Sequence, residues 1–224
     1  MNSLLQNYAL LIGSSESISD LSKKDNAKLL VISDSHGNYD SLRRILLLNG
    51  ESSDALIFCG DGILDLLRLL DEFSKNNEFS KYLPPVIGLV EGNNDEDNYC
   101  FGDMRYKIPL ANEITVCGKK IFFVHGHRHG LFNGIEGLEN AVRTFDVDAV
   151  FFGHTHIAVS TIGSRNILYL NPGSCSRPRG GMPTSYCVVK VEKDNPRFDV
   201  TFYELLASES KPFIPSDYIA SGFF

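Results

Sequence analysis

The sequence predicts an α/β fold, and three observations lead there. Short aliphatic runs alternate with amphipathic stretches through the first half of the chain. Their order, strand–helix–strand–helix–strand, calls for parallel pairing with right-handed crossovers. Five of the apolar runs carry Asp, Asn or His just beyond their carboxyl ends. That edge is where α/β sheets bind ligands.

Each element has its own justification. Residues 29–33 form a continuous apolar run, like a strand buried on both faces, and it ends at Asp34. Residues 39–48 place Leu42, Ile45 and Leu46 on one helical face, with Gly50 as a stop. Residues 55–59 read as the second strand, ending at Asp61, and 63–73 as a Leu-rich helix. Residues 84–90 lead into the third strand, which ends at Asn93. The pattern then changes. Residues 113–116 and 120–124 flank Gly118 as hairpin arms, the second ending at His125. Ile135, Leu138, Val142 and Phe145 mark a helix. Residues 149–152 are a strand ending at His154, and 167–170 one ending at Asn171-Pro172-Gly173-Ser174. Strands at 186–191 and 198–205 complete the second half.

The flanks read differently. Leu4, Leu5, Tyr8, Leu11 and Ile12 fall on one helical face, which predicts a helix packed on the domain, or a surface for a homo-oligomer or another partner. Residues 14–26 are polar and read as a linker. Residues 207–224 contain two prolines and Gly222 and read as an irregular tail, with Phe223-Phe224 expected to dock. The expected organisation is an extension at 1–26, one domain at 27–206 and a tail at 207–224.

Composition narrows the function. The net charge is −7 and no basic stripe stands out, which argues against a surface for polyanionic nucleic acid. Five cysteines, an odd number without a CxxC, disfavour a disulfide framework or a zinc ribbon. A reducing cytoplasm is the expected compartment. Cys59 reads as a small buried strand residue rather than a nucleophile. The apolar runs are strand-sized, so no membrane span is expected, and the N-terminus lacks the pattern of a secretory signal.

All six histidines fall in three motifs: Asp34-Ser35-His36, His125-Gly126-His127-Arg128-His129 and Gly153-His154-Thr155-His156. Gly60-Asp61-Gly62 and Gly92-Asn93-Asn94-Asp95 add carboxylate and amide donors. Asp34, His36, Asp61, Asn93, His125, His154 and His156 are therefore the candidate ligands of two divalent metals. Mixed N and O donors suit Mn²⁺, Fe, Zn²⁺, Ni²⁺ or Co²⁺ better than Ca²⁺, and Mn²⁺ is the first expectation. Two such ions bring more positive charge than Asp34, Asp61 and a hydroxide neutralise, so the site would attract an anionic phosphate ester although the protein is acidic. A Rossmann dinucleotide site is excluded, because no G-x-G-x-x-G follows the first strand.

Together these five motifs resemble the calcineurin-like metallophosphoesterase superfamily, whose pattern is D-x-H, G-D-x, G-N-H-[DE], a strand-end H and G-H-x-H. Asn171-Pro172-Gly173-Ser174 followed by Arg177-Pro178-Arg179 looks like its small bacterial and archaeal phosphodiesterase branch. The resemblance covers residues 28–205. It implies a four-layer α/β/β/α sandwich of two mixed sheets. It also implies that Asp34, His36, Asp61 and His156 hold one ion while Asp61, Asn93, His125 and His154 hold the other. The expected reaction is hydrolysis of a small phosphodiester by a metal-bridging hydroxide. A catalytically weak interaction scaffold, as the retromer subunit of the superfamily is thought to be, and a phosphomonoesterase are the alternatives.

The chain departs from the wider family at one position. Asn94 stands where the family has a histidine thought to protonate the leaving group, and an amide is no useful proton donor at neutral pH. A lost general acid costs about 10²–10⁴-fold for poor leaving groups. His127 is the candidate replacement. Asp95 is expected to orient a ligand histidine. Arg177 and Arg179 are expected either to reach substrate phosphate or to lie in a solvated loop. Arg128 and His129 read as surface residues.

Overall fold

The computed structural model describes residues 4–101, 104–131 and 134–215. In chain order its first half holds α1 (Ser15–Lys23), β1 (Asn26–Ile32), α2 (Tyr39–Asn49), β2 (Ala55–Phe58), α3 (Ile63–Ser74) and β3 (Val86–Leu89). A hairpin of β4 (Asn98–Phe101) and β5 (Met104–Lys107) follows, then β6 (Ala111–Val116) and β7 (Lys119–Val124). The chain continues through α4 (Glu136–Ala141), β8 (Ala149–Phe152), β9 (Ala158–Ile162) and β10 (Leu168–Pro172). It closes with β11 (Ser185–Glu192), β12 (Asp199–Leu205) and β13 (Ser210–Phe213).

Two mixed sheets stack between helices. The first has the order β13-β12-β11-β1-β2-β3, and the second β6-β7-β8-β10-β9. In each sheet three strands are parallel, β1-β2-β3 and β7-β8-β10, and the rest are antiparallel. Side-chain alternation explains the layers. Leu29, Val31, Ala55 and Ile57 face the second sheet and share a core with Ile121, Phe123, Ala149, Phe151, Leu168 and Leu170. Their neighbours Leu30, Ile32, Leu56 and Phe58 face the other way, onto Leu42, Ile45 and Leu46 of α2 and Leu66, Leu70 and Phe73 of α3. On the outer side of the second sheet, Val150, Phe152 and Tyr169 meet Leu138 and Val142. Central strands buried on both faces are why their sequences are continuously apolar rather than alternating. The expected four-layer sandwich is the observed fold.

Register sets the functional edge. Ile32 pairs with Phe58 and Phe58 with Leu89, while Val124 pairs with Phe152. The turns after these strands therefore leave their sheets at one level. The loops also join laterally, through Asp34 N–H to Gly60 C=O (3.0 Å) and Gly153 N–H to His125 C=O (3.0 Å).

The flanking segments correct the reading from pattern alone. Residues 4–13 are not a helix. They turn back on themselves, Gln6 bridging Ile12, and Ile12 pairs antiparallel with Ile87 on the edge of the first sheet. Reciprocal bonds of 2.8 Å join Ile12 and Ile87. Free backbone groups on edge strand β3 are satisfied in this way, and that long-range pairing outweighs the local helical pattern. Leu11 and Ile12 are buried while Leu5 and Tyr8 are exposed. The polar stretch expected as a linker holds α1, capped by Ser14 Oγ accepting from Ser17 N–H at 3.0 Å, with Leu21 buried in the inter-sheet core. Within the expected irregular tail, β13 adds a strand against β12, with Phe202 opposite Phe213. Phe223 and Phe224 lie outside the described residues. The helix expected across 135–145 is the shorter α4.

Candidate metal centre

The candidate ligands stand on turns that few side chains adopt. Asp34, His36, Asp61, His154 and His156 all have positive φ, between 46° and 68°. Such conformations cost about 1–3 kcal/mol each and concentrate at functional sites. Close packing enforces them. A Cβ on Gly62, itself at φ 146°, would lie 1.8 Å from Ser35 Oγ, and one on Gly92 would lie 2.0 Å from Asp61 Oδ1. Glycine lets the loops of three strands meet.

Four donors converge. Ligand atoms of Asp34, His36, Asp61 and His156 all lie within 4.8 Å of one another. His36 Nε2 faces His156 Nε2 at 3.0 Å and is 3.7 Å from Asp34 Oδ1 and 3.6 Å from Asp61 Oδ2. The same Asp61 Oδ2 is 3.5 Å from His125 Nε2. The His125 ring is 5.2 Å from that of His154. Asn93 is exposed on the turn after β3.

Neighbouring groups fix the imidazole tautomers. His125 Nδ1 is 2.7 Å from the Cys59 carbonyl and His156 Nδ1 is 2.6 Å from that of Arg177. A carbonyl only accepts, so Nδ1 carries the proton and Nε2 is directed at the centre. His125 Nε2 and Asp34 Oδ1 are buried without a hydrogen-bond partner among the described residues. Buried polar atoms are rarely left so. A divalent ion fits these imidazole and carboxylate donors.

Charge reinforces the arrangement. Burial pushes the Asp34 carboxyl up, but the adjacent imidazoles of His156, His36 and His125 outweigh it, holding Asp34 well below the usual range. Burial likewise opposes a lowered Asp61, which His125 and Asn94 nevertheless hold down. Burial would lower His125, yet Asp61 and Asp34 raise it. Both carboxylates are thus poised as anions.

Other expected residues take different places. Asn94 donates its N–H to Asp61 Oδ1 (2.8 Å) and its side-chain amide to Oδ2 (2.7 Å). The His127 ring is 5.5 Å from that of His125 and 6.3 Å from that of His154, and it is half-buried. Its imidazole is lowered by burial, then by His125 and Arg128. Arg128 is exposed, its Nε donating to His127 Nε2 at 3.2 Å, whereas His129 is half-buried rather than on the surface. The Arg177 guanidinium approaches the His36 carbonyl at 3.4 Å. It borders a cleft of about 350 Å³ lined with His36, Asn38, Tyr39 and Ser176. Arg179 is exposed.

Three supporting residues have no such role in the sequence reading. Asn171 Nδ2 donates to the Gly153 carbonyl (2.7 Å) and to Thr155 Oγ1 (3.0 Å), bracing the His154–His156 turn. Ser174 Oγ donates to the Asp34 carbonyl at 2.7 Å. Asp65 Oδ2 accepts from Ser35 Oγ (2.7 Å) and Gly37 N–H (2.8 Å). Asn171 lies at the end of β10 and Ser174 just beyond it, which is a signal of position. Asp65 gives none, being one acidic residue in the first turn of α3.

Comparison with known proteins agrees with this geometry. The family model of the calcineurin-like phosphoesterase superfamily domain matches residues 28–194. The chain is similar to the probable metallophosphoesterase YsnB of Bacillus subtilis strain 168, 30% identical over 181 residues, covering 81% of this chain and 93% of that protein. It is 27% identical over 164 residues to phosphodiesterase MJ0936 of Methanocaldococcus jannaschii, covering 70% of this chain and 89% of that one. Among solved structures, a predicted phosphoesterase from Streptococcus pneumoniae TIGR4 superposes with a TM-score of 0.60 at 25% identity, covering 85% of this chain and 98% of that one.

Proposed function

We propose a phosphodiesterase reaction for this chain, which belongs to the calcineurin-like phosphoesterase superfamily and is a metal-dependent phosphoric ester hydrolase. The convergence of Asp34, His36, Asp61 and His156 on one point carries the reading. These four would hold a first ion, and Asp61, Asn93, His125 and His154 would hold a second. Bound there, two divalent ions supply Lewis acidity and an activated water near neutral pH. Mn²⁺ is the preferred ion, with Fe, Zn²⁺, Ni²⁺ or Co²⁺ as substitutes.

The chain's own groups do the rest. Asn94 keeps Asp61 oriented through its backbone N–H and its side-chain amide, and an amide is not a proton source at neutral pH. His127, beside His125 and His154, is the group assigned to the leaving-group proton. Arg177 faces the cleft next to His36, where it would pair with a phosphate oxygen. The substrate is a small phosphodiester, because the acidic chain offers no track for a polyanion. The clustered donors favour hydrolysis over a metal-independent interaction scaffold. No helix among the described residues is long and apolar enough to cross a membrane. With five free cysteines, a reducing cytoplasm is the proposed compartment.

Protein freed of metal should be inactive towards bis(p-nitrophenyl) phosphate and regain turnover as Mn²⁺ is added. Titration should show two ions per chain. Failure to bind more than a trace of any transition ion at high supply would sink the enzyme reading.

A further inference from the structure

One carboxylate near the centre is fully engaged by backbone. Asp95 Oδ2 accepts from Asp61 N–H at 2.6 Å and Gly92 N–H at 2.9 Å. Its Oδ1 accepts from Gly62 N–H at 3.0 Å and Ile63 N–H at 2.9 Å. Both oxygens are occupied, so Asp95 has no lone pair directed to an ion and does not orient a histidine as its motif position suggests.

The four donors belong to different places. Gly62 and Ile63 open α3, whose N-cap Gly62 has no side chain to cap with. Asp95 supplies that cap from another loop, where a negative charge suits the helix N-terminus. Asp61 and Gly92 lie outside the helix, and bonding to them ties the turn after β2 to the turn after β3. Asp61 is itself at φ 57°, a conformation that must be held by its surroundings. The chain order of the motif also becomes intelligible: Asn94 and Asp95 place a brace for the Asp61 side chain and a clamp for the Asp61 backbone on one turn.

We propose that Asp95 is a positioning residue, whose carboxylate gathers the N–H groups of Asp61, Gly62, Ile63 and Gly92 and thereby presets Asp61 for metal. The proposal rests on the dinuclear reading above. It is distinct from a general contribution to folding, because it places the effect on Asp61 geometry before any ion binds. It is also distinct from a simple contribution of negative charge, because it depends on where the two oxygens lie.

The test compares full-length wild type with Asp95→Asn, Asp95→Glu and Leu138→Ala. Leu138 packs on the outer side of the second sheet, so its truncation lowers stability away from the site. Amide hydrogen exchange on metal-free protein and Mn²⁺ titration are the readouts. Asp95→Asn turns an acceptor into a donor facing N–H groups. The amides of Asp61, Gly62, Ile63 and Gly92 should then exchange faster, and Mn²⁺ affinity should fall about 10–100-fold. Asp95→Glu keeps the charge with the carboxylate displaced, and should also bind more weakly than wild type. Leu138→Ala should keep wild-type affinity. Wild-type affinity in Asp95→Asn, full affinity in Asp95→Glu, or an equal loss in Leu138→Ala would each overturn the proposal. If Asp95→Asn does not fold, Asp95→Glu decides alone by the same two readouts. A wild type that binds no Mn²⁺ would instead overturn the dinuclear reading, while the exchange result still tests the clamp.

Discussion

The Nε2 atoms of His36 and His156 lie 3.0 Å apart across 120 residues of sequence. Each comes from a different sheet, one after β1 and one after β8. Two imidazole nitrogens this close need either a shared proton or a common cation. With the other ring proton of His156 on the Arg177 carbonyl, its Nε2 lone pair is available to a cation, and the Asp34 and Asp61 carboxylates beside the pair favour one. His36→Ala and His156→Ala should therefore act on the same ion. Each should weaken Mn²⁺ binding, and the double variant should lose little more than the worse single one. Additive losses in calorimetric titration would mean that the two rings serve different ions.

Asp61→Ala should be the most damaging single substitution. Its carboxylate stands between His36 at 3.6 Å and His125 at 3.5 Å, so it is placed to serve both positions. Loss of dinuclear occupancy and of nearly all turnover is expected, with the fold retained because the apolar strands supply the core. A variant with normal activity and two tightly held ions would show the shared ligand to be misassigned.

The cluster of Asp34, His36, Asp61 and His156 is legible in the sequence because each of these candidate ligands follows closely on the strand that aims it. A run such as Leu29-Leu30-Val31-Ile32 announces a buried strand, and the residues just after such a run are forced to the sheet edge. The elements that are not legible depend on distant partners. Ile12 is a strand residue only because Ile87 offers an open edge. Strands β9 and β13 are stabilised by pairing with β10 and β12, which local pattern does not reveal. The short runs of β4 and β5 alternate weakly and pair only with each other. Asp95 is visible in its motif while its partners are not, since sequence spacing says nothing about which N–H groups a carboxylate meets.

The N-terminal segment should matter for stability and little for chemistry. Deleting residues 1–13 removes Leu11 and Ile12 from the core and uncovers the β3 edge. Burying two aliphatic side chains is worth about 3–6 kcal/mol at ~1.5–3 kcal/mol each. Deleting residues 1–26 also removes Leu21 and should cost more. Denaturant midpoints should fall in that order, while specific activity of the folded fraction stays within about threefold, a modest change on the transition-state scale. A folded, fully metallated truncation without activity would place the segment at the active site.

Metal-free protein should lose stability as pH rises. Burial alone would lower the His125 imidazole, but the adjacent carboxylates of Asp61 and Asp34 hold it above its ordinary value of 6.5. A raised folded value means that its contribution is complete below the unfolded value and is lost as pH climbs through the folded one. The buried carboxylates of Asp34 and Asp61 then lose their cationic partner. Denaturation midpoints of metal-free protein should fall between about pH 6 and about pH 9, and saturating Mn²⁺ should reduce the drop. Identical midpoints at both values without metal would remove the His125–Asp61 pairing from the account.

Leaving-group quality should govern turnover. Asn94 holds Asp61 through its backbone N–H and its side-chain amide, and an amide gives no proton to a departing alkoxide near neutral pH. Nitrophenolate leaves as an anion and needs little help, so bis(p-nitrophenyl) phosphate should be cleaved faster than an alkyl phosphomonoester. His127 is the remaining nearby imidazole, and burial with the charges of His125 and Arg128 keeps it below its ordinary value. Near neutral pH it is therefore mostly uncharged, and its use as an acid should grow as pH falls. His127→Ala should slow poor leaving groups by about 10²-fold or more and nitrophenolate esters far less. Equal slowing of both would assign His127 to substrate binding or metal geometry. Fast hydrolysis of unactivated alkyl monoesters by His127→Ala would defeat both the phosphodiester preference and the proton assignment.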